Sequence, residues 1–257
     1  MERQIHLFDN GVRLFDDHLI PLQRERYRKR NVHEAEEEDI FVGLIRALPP
    51  NGCFVNIGAA VGYYLILAKQ LAPGLTVHAV EPLKRHRRFL LENLALNGLG
   101  HSDVIIHEEG ISSSEGTENF LDRGYGSRIP RAEKEKKPSL STRWKALLVL
   151  LGLRKKKNQA KKIVPIRAIT LDTLVDRIGR TIDLLQMDVQ GLEVEVLKGG
   201  AHSLETARVQ TFLIGTHSLK IHRECSAILE EHGYAIEFDE PDTKDQPDGI
   251  LVARRKS

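Results

Sequence analysis

The stretch CFVNIGAAVGYYLILAKQLA, Cys53 to Ala72, decides the fold. Its opening, CFVNIG, reads as a short apolar strand, and VGYYLILAKQLA carries a helix-length apolar stripe. Between them stand Gly58 and Gly62, four residues apart. Strand, glycine turn and helix form the first half of a βαβ unit. The glycines let the backbone approach a ligand with no Cβ in the way.

The downstream sequence repeats the alternation. LTVHAVE is a second strand. PLKRHRRFLLENLALNG is a helix with Pro82 in its first turn and Gly98 at its end. DVIIHEE is a third strand, followed after an interruption by the strand IVPIRAI and the helix TLDTLVDRIG. Strand IDLLQMDV, helix GLEVEVLKGG, strand VQTFLIGTH and a helix from about Ser218 to His232 complete the pattern. Alternation of this length implies a mostly parallel sheet. The last two strands, YAIEFDE and GILVARR, are separated only by PDTKDQPDG, which suits a hairpin and an antiparallel strand at the C-terminal end.

Upstream, the chain as far as Pro50 reads as helical. NVHEAEEEDIFVGLIRAL has Asn31 as a cap and acids in its first turns, where they balance the helix dipole. Its apolar face is expected at Ile40, Leu44 and Ala47, and PPNG breaks it. The expected organisation is a helical extension over residues 1–50 and an α/β domain over 51–257, interrupted by a basic insertion at about 128–162.

The chain has 257 residues, 41% hydrophobic and 29% charged, as in a globular protein with a sizeable core and unlike a disordered chain. MERQIHLFDN lacks the apolar core of a secretion signal, and ALLVLLGL is far short of the roughly 20 residues a spanning helix needs. Cys53 and Cys225 make neither a disulfide framework nor a metal spacing. These features predict a reduced, cytoplasmic setting. The net charge of +2 hides an asymmetry: thirteen Lys/Arg and two acids lie between Arg128 and Lys162, and the remaining sequence is acidic. Within that segment, STRWKALLVLLGLRKKKNQAKK (Ser141–Lys162) sets Trp144 and a leucine run against a basic cluster. It suits an anionic membrane surface at its inner face or a lipid-linked acceptor, with a lid, a protomer contact or a solvated loop as alternatives. Nucleic acid is not expected, because the segment has no base-stacking set.

Glu81 ends the second strand, nineteen residues past Gly62, where an acid accepts hydrogen bonds from ribose hydroxyls. The loop is G-A-A-V-G, with Ala59 and Ala60 following Gly58. It lacks the G-x-G-x-x-G pattern that closes a helix N-terminus on a pyrophosphate, which argues against a nicotinamide oxidoreductase. S-adenosylmethionine (SAM) has a ribose, an adenine and a zwitterionic methionine end but no pyrophosphate, and suits this loop.

FVNIGAAVGYY, VEPLKRHRRFLLENLALNG, EGTENF, ITLDTL, IDLLQMDVQGLEVEVLKGG and FLIGTH occur in an order and spacing that resemble the FkbM-type SAM-dependent methyltransferases. The resemblance covers roughly Gly52 to Thr216 apart from the insertion, and DLLQMDVQGLEVEVLKGG is its most specific piece. It implies the class I methyltransferase fold: α/β, Rossmann-like, doubly wound, with a seven-stranded and mostly parallel sheet whose last strand is reversed. It also implies O-methylation of a hydroxyl on a sugar, glycolipid or other natural product. By the same resemblance Gly58 and Gly62 form the SAM loop with Ala59 and Tyr63, and Glu81 is the ribose acid. Glu108 falls near the adenine, and Asp188 lies where the methyl group points. Asn56 stands where many class I enzymes place an acid near the methionine amine. Gln190 replaces a family Glu, which keeps a non-catalytic scaffold as an alternative, and Gln186 replaces a frequent Lys.

Methyl transfer to a hydroxyl needs alignment and removal of a proton. Asp188 and His217, ending the fourth and fifth strands, are the positional candidates for the base, with His222 five residues further on. For His222 a surface helix position is the competing reading. No metal is predicted. The alternative is a divalent ion on Asp188, Glu193 and His217, for which the sequence shows no tight ligand spacing.

Overall fold

The computed structural model of the chain describes residues 3–122, 162–241 and 248–256. The insertion, with Trp144 and the basic run, lies outside the described residues. Among the described residues no helix is long and apolar enough to cross a membrane.

The chain begins with a hairpin of β1 (Ile5–Leu7) and β2 (Arg13–Phe15). The helical expectation for this segment is therefore corrected. IHLFDNGVRLF alternates around a tight turn, and Gly11 adopts the left-handed φ of 87° that the turn requires. Helices α1 (Pro21–Lys29) and α2 (Ala35–Ala47) follow. α2 is capped at Glu34 rather than Asn31, and its buried face is Glu37, Glu38, Phe41 and Ile45, with Ala47 exposed. Of the acids expected on the solvated first turns, Glu37 and Glu38 face inward, while Asp39 is exposed.

Next come β3 (Cys53–Ile57), α3 (Tyr63–Leu71), β4 (Thr76–Val80), α4 (Lys84–Leu96) and β5 (Ile105–His107). Three strands then form a small separate sheet: β6 (Gly110–Ile111), β7 (Gly116–Asp122) and β8 (Lys162–Ile169), in the order β6-β8-β7. IVPIRAI is thus a strand but does not join the main sheet. Pro165 pairs with Asn119 on one side only, because β6 reaches no further along β8 than Ala168 and Ile169, so its missing N–H costs no ladder bond.

The chain continues through α5 (Leu171–Ile178), β9 (Ile182–Met187), α6 (Glu193–Lys198), α7 (Ala201–Glu205), β10 (Val209–Thr216), α8 (Leu219–Glu231), β11 (Tyr234–Glu240) and β12 (Gly249–Arg255). The seven-stranded sheet has the order β11-β12-β10-β9-β3-β4-β5. β3, β4, β5, β9 and β10 pair in parallel, while β12 runs antiparallel to both β10 and β11. The expected C-terminal hairpin is present.

Both faces of the sheet are covered, which explains why its central strands read as unbroken apolar runs. Phe54, Leu184 and Leu213 pack on one face with Phe41 of α2, Leu65 of α3 and Leu90 of α4. Val55, Leu185 and Phe212 pack on the other with Leu174 of α5, Val196 of α6 and Leu229 of α8. Burying each such side chain contributes about 1.5–3 kcal/mol. The parallel strands end together at one edge, and the functional loops gather there.

Candidate active site

The β3–α3 turn is shaped by two left-handed glycines. Gly58 has φ 89°, and a Cβ at that position would lie 2.2 Å from the Asp188 backbone oxygen. The β3 and β9 loops are therefore pressed together where only glycine fits. Gly62, at φ 87°, caps α3, with Leu90 Cγ 3.3 Å from where its Cβ would be. Gly58 and Ala59 donate their N–H groups to the Val80 carbonyl at 3.0 and 3.2 Å. Ala60, itself at φ 46°, donates to Glu81 Oε2 at 3.0 Å. Glu81 Oε1 accepts from Leu83 N–H at 2.8 Å and lies 3.4 Å from His86 Nδ1. Loop and acid, paired in the sequence only by spacing, form one hydrogen-bonded unit.

This unit lines a cavity of about 530 Å³, within the ordinary range for small-molecule sites. Pro82, Ile111, Phe120, Ile166 and Ala168 give it an apolar wall, so the small second sheet contributes directly. Asn56, Asp188 and Gln190 line it from the strand ends, Asp248 from the start of the C-terminal hairpin's second strand, and Arg26, His33 and Glu34 from the N-terminal helices. Glu108 is not brought here. It is exposed, pairs with Arg87 at 2.6 Å, and borders a shallow depression on the far side of α4. β5 ends at His107, and the chain turns at once into β6, which aims Glu108 outward.

Carboxylates dominate one end of the cavity. His217 Nδ1 lies 2.8 Å from Glu193 Oε1, and its Nε2 lies 3.3 Å from Asp188 Oδ1 and 3.4 Å from Asp248 Oδ1. Burial alone lowers the His217 pKa. The Glu193 hydrogen bond and the charges of Asp188, Glu193 and Asp248 outweigh it and push the value up to about 9. A value above neutrality favours the protonated ring. Asp188 and Asp248, raised chiefly by burial and held back from rising further by His217, titrate at about 6. Gln190, at φ 55°, donates to Asp188 Oδ1 at 3.0 Å.

Asp188, Glu193 and His217 do converge, with one ligand atom from each within 4.8 Å of the others, as do Glu34, Asp188 and Asp248. In the first trio His217 Nδ1 bonds Glu193 Oε1, while His217 Nε2 and Glu193 Oε2 are buried with no hydrogen-bond partner among the described residues. Glu193 has no exposed side-chain surface and also accepts from Gly191 N–H at 3.0 Å.

His222 is neither on the surface nor at the site. It is buried on α8, with Nδ1 2.8 Å from Thr216 Oγ1 and Nε2 2.6 Å from Asp239 Oδ1. Tyr63 borders the cavity, but its hydroxyl turns back to donate to Glu38 Oε2 at 2.5 Å and accept from Asn10 Nδ2 at 2.7 Å.

The interior also holds groups the sequence did not assign to the site. Asn56 Nδ2 donates to Gln186 Oε1 at 3.2 Å, and Gln186 Nε2 donates to Glu37 Oε1 at 2.6 Å. Burial, with Glu34 and Asp188 nearby, raises Glu37 well above the carboxylate range. Glu34 accepts from the Tyr64 hydroxyl at 3.3 Å and faces Arg26 at 3.6 Å, and burial raises its pKa as well. For Glu34 and Glu37 the only sequence signal was the density of acids in EAEEED, which a solvated helix turn explains equally well.

A doubly wound sheet with one reversed strand, a glycine loop locked to a strand-end acid and a cavity at the carboxyl edge define the class I methyltransferase architecture. The methyltransferase FkbM domain model matches residues 54–245, and the chain belongs to that family. It is similar to methyltransferase sdnD of Sordaria araneosa, at 29% identity over 82% of this chain and 85% of that protein. A crystal structure of methyltransferase FkbM from Methylobacillus flagellatus superposes with a TM-score of 0.53 at 15% identity, covering 80% of this chain and 44% of the other.

Proposed function

We propose that the protein transfers a methyl group from SAM to a hydroxyl of a sugar, glycolipid or other natural product. The observation that carries this is the cavity itself, which joins the Gly58–Gly62 loop, Glu81 and Asp188 in one space. The fit to the donor rests on two features of the chain. Gly58 keeps open a cradle that a Cβ would fill, and the buried Glu81 carboxylate, whose two bonds to backbone N–H groups leave acceptor capacity, is positioned for a ribose diol. The apolar wall of Ile111, Phe120 and Ile166 suits the flat adenine.

SAM supplies an electrophilic methyl carbon on a sulfonium. The residues of this chain have to hold the acceptor oxygen in line and take its proton. Asp188 is the base favoured by the geometry: it borders the cavity and, titrating at about 6, is ionised yet still proton-accepting at neutral pH. With SAM bound, displacement at its methyl carbon would release the sulfur as a thioether, and the acceptor hydroxyl's proton would pass to the Asp188 carboxylate. His217 stays protonated throughout, orienting Asp188 and Asp248 from behind.

Calorimetry with SAM tests the donor assignment, and absence of binding at millimolar ligand would defeat it. Incubation with SAM and a cell extract, followed by mass spectrometry, tests the acceptor class. A gain of one methyl on a hydroxyl-bearing metabolite is expected, and methylation only of protein or nucleic acid counts against it.

A further inference from the structure

The chain lacks an acid at the end of β3, where Asn56 stands, yet a carboxylate stands two hydrogen bonds away. Glu37, on α2, accepts from Gln186 Nε2 at 2.6 Å. That acceptance turns Gln186 Oε1 toward Asn56, whose Nδ2 donates to it at 3.2 Å. When Glu37 is ionised it has no proton to donate, and the relay then has one sense. Asn56 Nδ2 is engaged with Gln186, and Asn56 Oδ1 accepts no hydrogen bond from the described residues, on a side chain that lines the cavity two positions before Gly58.

We propose that Glu37 is a positioning residue for the methyl donor: acting through Gln186, it fixes Asn56 Oδ1 as the acceptor for the donor's ammonium group and supplies the balancing charge. This rests on the SAM reading above. The N-terminal helical segment thereby becomes part of the donor site. Glu38, the other buried acid of α2, is bonded to Tyr63 and Asn10, and Glu34 at the N-cap faces Arg26 at 3.6 Å, whereas Glu37 contacts only the Gln186 amide among the bonds described. Burial and the neighbouring acids raise the Glu37 pKa, and a cation two hydrogen bonds away favours its ionised form. Hydrogen bonds within such a chain polarise one another, so charge at one end strengthens the acceptor at the other.

The test compares two ligands on the full chain by calorimetry. SAM carries the ammonium, whereas 5′-methylthioadenosine has the same nucleoside and thioether carbon without the amino-acid end. E37Q is expected to weaken SAM about tenfold, the scale of one hydrogen bond to a charged group, and to leave methylthioadenosine binding unchanged. Adding N56D to E37Q restores a carboxylate directly at the strand end and is expected to recover SAM affinity. Equal SAM binding by wild type and E37Q overturns the proposal. So does equal weakening of both ligands, or a double variant no better than E37Q, since each points to a structural role. If the wild-type protein binds neither ligand, the donor reading has failed and the relay fails with it. Wild-type SAM binding with an indifferent E37Q defeats the relay alone.

Discussion

His217 Nε2 lies 3.3 Å from Asp188 Oδ1 while its Nδ1 holds Glu193, so a single ring couples a buried carboxylate to the one facing the cavity. The coupling sets which group moves protons. His217 titrates at about 9 and Asp188 at about 6, so in the proposed mechanism the proton goes to Asp188.

Methyl transfer is accordingly expected to decline as pH falls through about 6, when Asp188 takes up a proton. D188N should lower kcat by roughly 10²–10⁴ and abolish that limb of the profile. A wild-type rate insensitive to pH in this range would remove Asp188 as the base.

H217Q takes away the cation that holds the Asp188 and Asp248 pKa values down. Its acid limb should move to higher pH, so that activity falls more at neutral than at mildly alkaline pH. A uniform loss at every pH would show His217 to be structural only.

The same histidine links stability to pH. Its folded pKa, about 9, exceeds its ordinary 6.5, so its contribution is fully present below 6.5 and is lost as pH rises through 9. Asp188 and Asp248, raised from 3.8 to about 6, build up a cost between those two values that stays constant above. They leave the alkaline window to His217. Thermal denaturation should show Tm falling across pH 6.5–9 in the wild type and a flatter profile in H217Q.

G58A forces a Cβ to within 2.2 Å of the Asp188 carbonyl and a non-glycine residue to φ 89°. Left-handed strain alone costs about 1–3 kcal/mol, and the overlap adds to it. A lower urea midpoint and loss of SAM binding are expected together.

Glu81 and Glu108 offer a paired comparison. E81A strips acceptors from Ala60 and Leu83 as well as from the ligand, and should weaken SAM by at least about tenfold. E108A breaks only an exposed pair with Arg87 and should leave SAM affinity unchanged. An equal effect of the two would place the adenine elsewhere.

The sheet was legible because period and punctuation are local: the β3–α3 glycines, the Pro82 and Gly98 boundaries and the C-terminal hairpin all stand in short windows. Glu81 and Asp188 were legible because strand ends in such a sheet share one edge. What escaped depends on contacts distant in sequence. Glu37 meets Gln186 across 149 residues, and an inward-facing acid on a first turn has the same local pattern as a solvated one. Asp248 looked like a turn residue between two strands. IVPIRAI carries a strand's composition, but nothing local assigns it to the second sheet. Glu108 differs: its place in the strand order was right, but it follows the end of β5 and points outward to Arg87 rather than into the cavity.

The cavity draws its acidic end from Glu34 before α2, Asp188 after β9 and Asp248 before β12, while the glycine loop and Glu81 lie between the first two in sequence. Because the Gly58 turn packs directly on the Asp188 backbone at the end of β9, strand order rather than nearness in sequence brings loop and carboxylate together.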